Sequence, residues 1–190
     1  MKDLEIEITI KLKDKKLLLS YLSANGKFLG EKKQTDVYFD PPHKTFLFDT
    51  KDGLDAKEFI RVRFSEKGDS ITYKNWHKET PEMPAYADEY ESNLSDGKST
   101  EKIFRTLGFK ETAKVEKTRR SYSCGELLVE FDNVVGLGDF VEIEYNSSSA
   151  KSPREAFDLI DNFLKNAGIT VFEHVKTGYV QLLWRKNARK

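Results

Sequence analysis

Charged residues in this chain recur at every second position, and within most segments they share a sign. In Leu4–Lys13 the apolar Leu4, Ile6, Ile8, Ile10 and Leu12 alternate with Glu5, Glu7, Thr9 and Lys11. The pattern returns as Arg61 with Arg63, Thr72 with Lys74, Glu89 with Glu91, Lys117 with Arg119, and Glu142 with Glu144, with Asp132 standing alone in its segment. Alternation of this kind marks β-strands, whose successive side chains point to opposite faces. Like charges two residues apart on one face repel. A face shaped only by solubility would mix its signs. Separate acidic and basic strands therefore imply that the two signs meet across an enclosed space. A closed barrel with a polar interior and helices outside provides one.

The alternating stretches are Leu4–Lys13, Thr35–Phe39, Phe59–Phe64, Ser70–Trp76, Tyr86–Ser92, Lys114–Ser123, Leu127–Asn133 and Phe140–Tyr145. Turn signals part many of them, as at Pro41-Pro42, Lys67-Gly68-Asp69 and Gly136-Leu137-Gly138. Helical spacing is read over Asp14–Asn25, Ser99–Leu107, Ser152–Ala167 and Tyr179–Trp184. The third is the best defined. Ser152 is its N-cap, Pro153 its first residue, Glu155 completes a capping box, and Ala156, Leu159, Ile160, Phe163 and Leu164 form its apolar face. The fold class expected is α+β: one domain over 1–190, built as a closed eight-stranded antiparallel barrel with a few flanking helices.

Thirty-two Lys and Arg residues balance 32 Asp and Glu. The basic excess of a protein that binds a nucleic-acid duplex is missing. Cys124 is the sole cysteine, and His43, His77 and His174 are isolated, so neither a disulfide within the chain nor a Cys/His zinc site is expected. No apolar run approaches the roughly 20 residues of a membrane span, and the first residues lack an apolar leader core. A cytoplasmic protein without a membrane partner is the expectation.

Carboxylates and cations in one interior have a chemical use. Carboxylate oxygens hold hard cations such as Mg²⁺ or Mn²⁺, and Mg²⁺ usually takes one or two of them together with substrate phosphates. Arg and Lys bind phosphate oxygens. The expected ligand is a metal-bound polyphosphate.

The same residues form a family pattern. Glu5-Ile6-Glu7 with a cation further along, Asp36-Val37-Tyr38-Phe39-Asp40, Arg61-Val62-Arg63, Thr72-Tyr73-Lys74, Glu116–Arg120, Gly136–Glu144 and Gly178–Leu183 follow one another as they do in the CYTH superfamily of triphosphate tunnel metalloenzymes, which the chain resembles over nearly its whole length. The resemblance implies an eight-stranded tunnel acting on triphosphates with Mg²⁺ or Mn²⁺. It makes Glu5, Glu7, Glu142 and Glu144 metal ligands, with Glu91 a further acidic member. It makes Arg61, Arg63, Lys74, Lys117 and Arg119 phosphate binders. Lys74 and Asp132 are also candidates for the catalytic machinery. The Gly136–Glu144 run is most similar to class IV adenylyl cyclases and thiamine triphosphatases, and dimers are common among relatives. The family signature ExExK places a lysine where this chain has Thr9. Lys11, on the same face but about 6.5–7 Å further along the strand, is the residue that could take its role. Three functions stay open: hydrolysis of tripolyphosphate, thiamine triphosphate or a nucleoside triphosphate; cyclisation of ATP to cyclic AMP; and binding of a polyphosphate or nucleotide without turnover.

Overall fold

The computed structural model describes residues 4–77, 86–147 and 152–187, with Leu4 and Glu5 described by their backbone alone. β1 (Leu4–Glu5) and β2 (Glu7–Lys11) are two parts of one N-terminal strand, separated by Ile6. Helix α1 (Lys16–Asn25) leads into the long β3 (Lys27–Asp40). A small hairpin, β4 (Leu47–Thr50) and β5 (Gly53–Ala56), precedes the meander β6 (Glu58–Ser65), β7 (Asp69–His77) and β8 (Tyr86–Leu94). Helix α2 (Gly97–Thr106) is followed by a second meander, β9 (Lys110–Cys124), β10 (Leu127–Val134) and β11 (Gly138–Tyr145). Helix α3 (Pro153–Asn166), the short β12 (Glu173–Val175) and α4 (Tyr179–Asn187) complete the described chain.

All the pairings are antiparallel, and one ten-stranded sheet runs β1-β8-β7-β6-β3-β9-β10-β11-β2-β12. This corrects the expected closed barrel of eight strands: the sheet is a large curl with more strands and an incomplete seam. The reason lies in the N-terminal strand. One of its edges pairs with β11 along β2. Its other edge meets β8 only through Leu4↔Asp88 and Glu5↔Ala87, because β12 occupies that edge at Thr9, Ile10 and Lys11. A backbone edge can carry one neighbour at a time, so a ladder from β2 to β8 is excluded there.

Burial is inverted relative to a common barrel. The convex face is apolar and helix-covered. Ile8 and Ile10 of β2, Val129 of β10, and Val141 and Ile143 of β11 pack under Leu18 and Leu22 of α1 and under α3. Val37, Phe39 and Val62 pack under Phe104 of α2 and under Phe109. The concave face is charged except at one end. There Val115, Val134 and Phe140 meet Tyr179 and Val180 of α4 in a separate apolar cluster.

The strands exceed their sequence signals where long-range pairing carries them on. β3 begins at Lys27 rather than Thr35 and β9 at Lys110 rather than Lys114, because the two are hydrogen-bonded from Lys27↔Ser123 to Asp40↔Lys110. The β4–β5 hairpin and β12 had no expectation at all. In α3 the Ser152 hydroxyl accepts a hydrogen bond from the Glu155 amide at 3.3 Å, as its N-cap assignment requires. The buried face is Ala156, Phe157, Ile160, Phe163 and Leu164, whereas Leu159 is 36% exposed. At about 100° per residue, Leu159 lies roughly 100° from the centre of the stripe and Phe157 roughly 60°. Ile160→Ala is therefore expected to cost about 2–5 kcal/mol and Leu159→Ala less than about 1 kcal/mol, measured by urea unfolding at neutral pH.

Candidate active site

The concave face encloses a cavity of about 500 Å³. Period two on each strand decides what lines it. β3 sends in Lys32 and Tyr38, β6 Phe59, Arg61 and Arg63, and β9 Lys117 and Arg119. The acidic side comes from Glu7 of β2, Glu89 and Glu91 of β8, Glu130 of β10, and Glu142 and Glu144 of β11. Lys74 and Trp76 of β7 stand beside the acidic strand β8. Gly178, Tyr179 and Gln181 face in at the α4 end.

Two buried carboxylates organise the cations. Asp132, 2% exposed and outside the lining, accepts two parallel hydrogen bonds from Arg119, Nε to Oδ1 at 2.6 Å and Nη2 to Oδ2 at 2.5 Å. It also accepts one from Lys117 Nζ at 3.1 Å. Arg119 reaches Glu130 and Glu142 as well. Asp36, 1% exposed, holds Arg63 in the same forked manner, at 2.6 and 2.8 Å, with Arg61 at 3.5 Å. Burial alone would raise the Asp36 carboxyl. The guanidinium groups of Arg63 and Arg61 more than offset it and hold that carboxyl well below the usual carboxylate range. Asp132 behaves likewise under Lys117 and Arg119. Burial, with Arg119 beside it, lowers the Lys117 ammonium.

The acidic wall is less settled. Glu7 and Glu144 stand directly opposite each other in the β2–β11 ladder. Burial first, and then Glu7, Glu130 and Glu89, push Glu144 up to about 8. Burial also raises Glu7, against Lys74 at 3.6 Å. Glu142, beside Arg119, is instead lowered despite its burial. Crowded, partly desolvated oxygen donors of this kind suit a hard divalent cation. Among the described residues no three carboxylate, His or Cys side chains converge into a complete metal cage. A divalent cation beside Glu7, Glu142 and Glu144 would therefore need oxygens from a bound substrate to complete its shell, as is usual for Mg²⁺.

Of the residues singled out in the sequence, Glu7, Arg61, Arg63, Lys74, Glu91, Lys117, Arg119, Glu142 and Glu144 all reach this cavity. Glu91 is exposed and accepts a hydrogen bond from Thr72 at 2.9 Å. The Glu5 side chain lies outside the described residues. Asp132 sits behind the wall, bound to two of its cations. Lys11 is not brought into the lining, and its ammonium lies 4.7 Å from the centre of the Phe140 ring. Both belong to the rung next to Thr9 and Glu142, towards the apolar end. Sequence reasoning missed Lys32, Glu130 and the role of Asp36. Each lies two residues, or a multiple of two, from a residue that was noticed. Starting β3 eight residues earlier would have placed Lys32 in step with Asp36 and Tyr38. Tyr38 is also a lining residue, beside Arg61 in register.

A CYTH domain match spans residues 3–179, and the chain belongs to that family. It is 27% identical over 180 residues to a Methanocaldococcus jannaschii protein provisionally named an adenylate cyclase, covering 94% of this chain and 98% of that one. The solved structure of a Pyrococcus horikoshii protein is similar at a TM-score of 0.75 and 26% identity, covering 94% and 98% of the two chains. The fold is shared with a Hippeastrum protein, provisionally named an adenylyl cyclase and described as dominantly a triphosphatase, at a TM-score of 0.66, 18% identity and 97% and 95% coverage. Among the described residues no helix is long and apolar enough to cross a membrane.

Asp36→Asn leaves two buried guanidinium groups short of a counter-charge, and a loss of about 3–5 kcal/mol in unfolding free energy is expected. The Asp36 carboxyl titrates lower in the folded than in the unfolded protein. Its stabilisation is therefore complete above the unfolded value of about 4 and fades as pH falls through the lower folded value. Urea unfolding from pH 7 to pH 3 should show a steeper loss in the parent protein than in Asp36→Asn.

Proposed function

We propose that this protein hydrolyses a triphosphate compound, water attacking the terminal phosphorus while the bridging P–O bond breaks. The observation that carries the reading is the division of one cavity into a cationic wall from β3, β6 and β9 and an acidic wall from β2, β8, β10 and β11. Arg61, Arg63, Lys117 and Arg119 present N–H donors to phosphate oxygens and offset the charge that builds up as the bond breaks. Asp36 and Asp132 hold those donors in place before substrate arrives, so that little reorganisation remains. Lys74, between Glu7 at 3.6 Å and Glu89 at 3.4 Å, is the ammonium available to the leaving oxygen. It takes that role in preference to Lys11, which the lining does not include. A Mg²⁺ or Mn²⁺ ion held by Glu7, Glu142 and Glu144, with Glu5, would supply charge neutralisation and orientation of the phosphates.

A second reading keeps the same cavity and directs a ribose 3′-hydroxyl at the α-phosphorus of ATP, releasing pyrophosphate. Two observations favour it: the adenylate cyclase name carried by the M. jannaschii relative, and the aromatic faces of Phe59, Trp76 and Tyr179 in the lining, which a nucleobase could stack on.

The test is incubation with tripolyphosphate, thiamine triphosphate and ATP, each with Mg²⁺ or Mn²⁺, scoring phosphate, pyrophosphate and cyclic AMP separately. Metal-dependent release of phosphate is expected. Cyclic AMP with pyrophosphate from ATP would replace the hydrolase with the cyclase, and tight binding with no product would leave a binding module. In calorimetry Arg61→Ala should weaken tripolyphosphate by about 1.5–3 kcal/mol. Glu142→Gln with Glu144→Gln should remove most of the difference between metal-containing and chelated samples.

A further inference from the structure

Lys32 differs from every other cation of the cavity wall. Arg61, Arg63, Lys74, Lys117 and Arg119 each have a carboxylate within ion-pair distance. Lys32 is a lining residue with no such partner among the described residues. It is only partly exposed, and Arg119 stands directly opposite it on β9. Burial lowers its ammonium below the ordinary lysine value. Glu130 opposes that shift, while Arg119, Arg63 and Lys117 add to it. A cation among cations, partly out of water and without its own counter-charge, is a place where an anion has much to offset.

Its position says which part of an anion. Along β3, Tyr38 is in register with Arg61, Asp36 with Arg63, Gln34 with Lys117 and Lys32 with Arg119. Four positions in steps of two residues span about 20 Å of strand. Arg61 begins this row, and its partner Tyr38 packs against the apolar cluster that includes Tyr179. Lys32 ends it. Counted from Arg61, Lys32 and Arg119 form the last cationic rung of the row, and of those two only Lys32 has no carboxylate within ion-pair distance among the described residues.

We propose that Lys32 is a specificity residue that binds the end phosphate of the chain and makes the cavity prefer a triphosphate to a diphosphate. This rests on the reading of the cavity as a triphosphate site. The contact adds a charge-assisted hydrogen bond for a third phosphate that a two-phosphate chain on the same inner cations cannot make.

Calorimetric titration of the full chain, Lys32→Gln and Lys32→Arg with tripolyphosphate and with pyrophosphate, at one fixed Mg²⁺ concentration, is the test. Lys32→Gln should weaken tripolyphosphate by about 10- to 100-fold and pyrophosphate by less than about 3-fold. Lys32→Arg should recover most of the tripolyphosphate affinity, which a loss through misfolding would not allow. Equal weakening for both ligands would reduce Lys32 to a general contributor of positive charge and overturn the proposal, as would no weakening for either. Those outcomes leave the triphosphate reading standing, whereas a parent protein that binds neither ligand overturns both.

Discussion

Everything inside the curled sheet depends on the fork between Arg119 and Asp132. Their side chains are 8% and 0% exposed, and charges so withdrawn from water are tolerated only when paired and hydrogen-bonded. Asp132 anchors Arg119 and Lys117 at once, and Arg119 passes the connection on to Glu130 and Glu142. One buried carboxylate thus ties β9 to β10, and through Arg119 the cationic wall to the acidic one. Asp36 repeats the device between β3 and β6. The pairs do not simply cancel: among the described residues the wall keeps Lys32 without a carboxylate partner, and it has a crowded acidic corner at Glu7 and Glu144. Those two imbalances are where the proposed metal-bound polyphosphate would have most to offset.

A charged lumen leaves the hydrophobic effect only the other face of the sheet. The convex residues, such as Ile10, Val129 and Ile143, are fully buried because α1 and α3 lie over them, and Val62 because α2 does. Fold stability is thereby housed largely apart from the site. The exception is the α4 end, where Phe140, Tyr179 and Val180 turn the concave face apolar. Lys117 lies 5.1 Å from the centre of the Tyr179 ring, so this apolar cluster borders directly on the cationic wall.

The candidate site was legible wherever charge and strand period coincided. Arg61 with Arg63, Lys117 with Arg119, and Glu142 with Glu144 could be assigned to one face from spacing alone, because a strand reverses its side chains at every residue. Lys32 was not legible, because Glu31-Lys32-Lys33-Gln34 is polar on both faces and only its pairing with β9 makes it a strand. Lys11 was placed on the correct face, yet its distance along the strand puts it beside Phe140 and outside the lining. Spacing gives the face of a side chain but not its depth in a curled sheet.

By itself, the sequence determined the class of structure and the chemistry of its interior: antiparallel strands with sign-segregated polar faces, helices to cover the apolar ones, and oxygen donors facing Arg and Lys. These follow from periodicity and side-chain type, which are local. Only the tertiary structure decided which charges pair, which stay without a partner, and how far the sheet closes. Asp36 takes Arg63, Asp132 takes Arg119 and Lys117, Lys32 is left over among the described residues, and β12 occupies the edge that closure onto β8 would need. Those outcomes depend on register between strands that lie as many as 166 positions apart, in the Thr9↔Val175 pair of β2 and β12, and no local pattern encodes a competition for one backbone edge or one buried carboxylate.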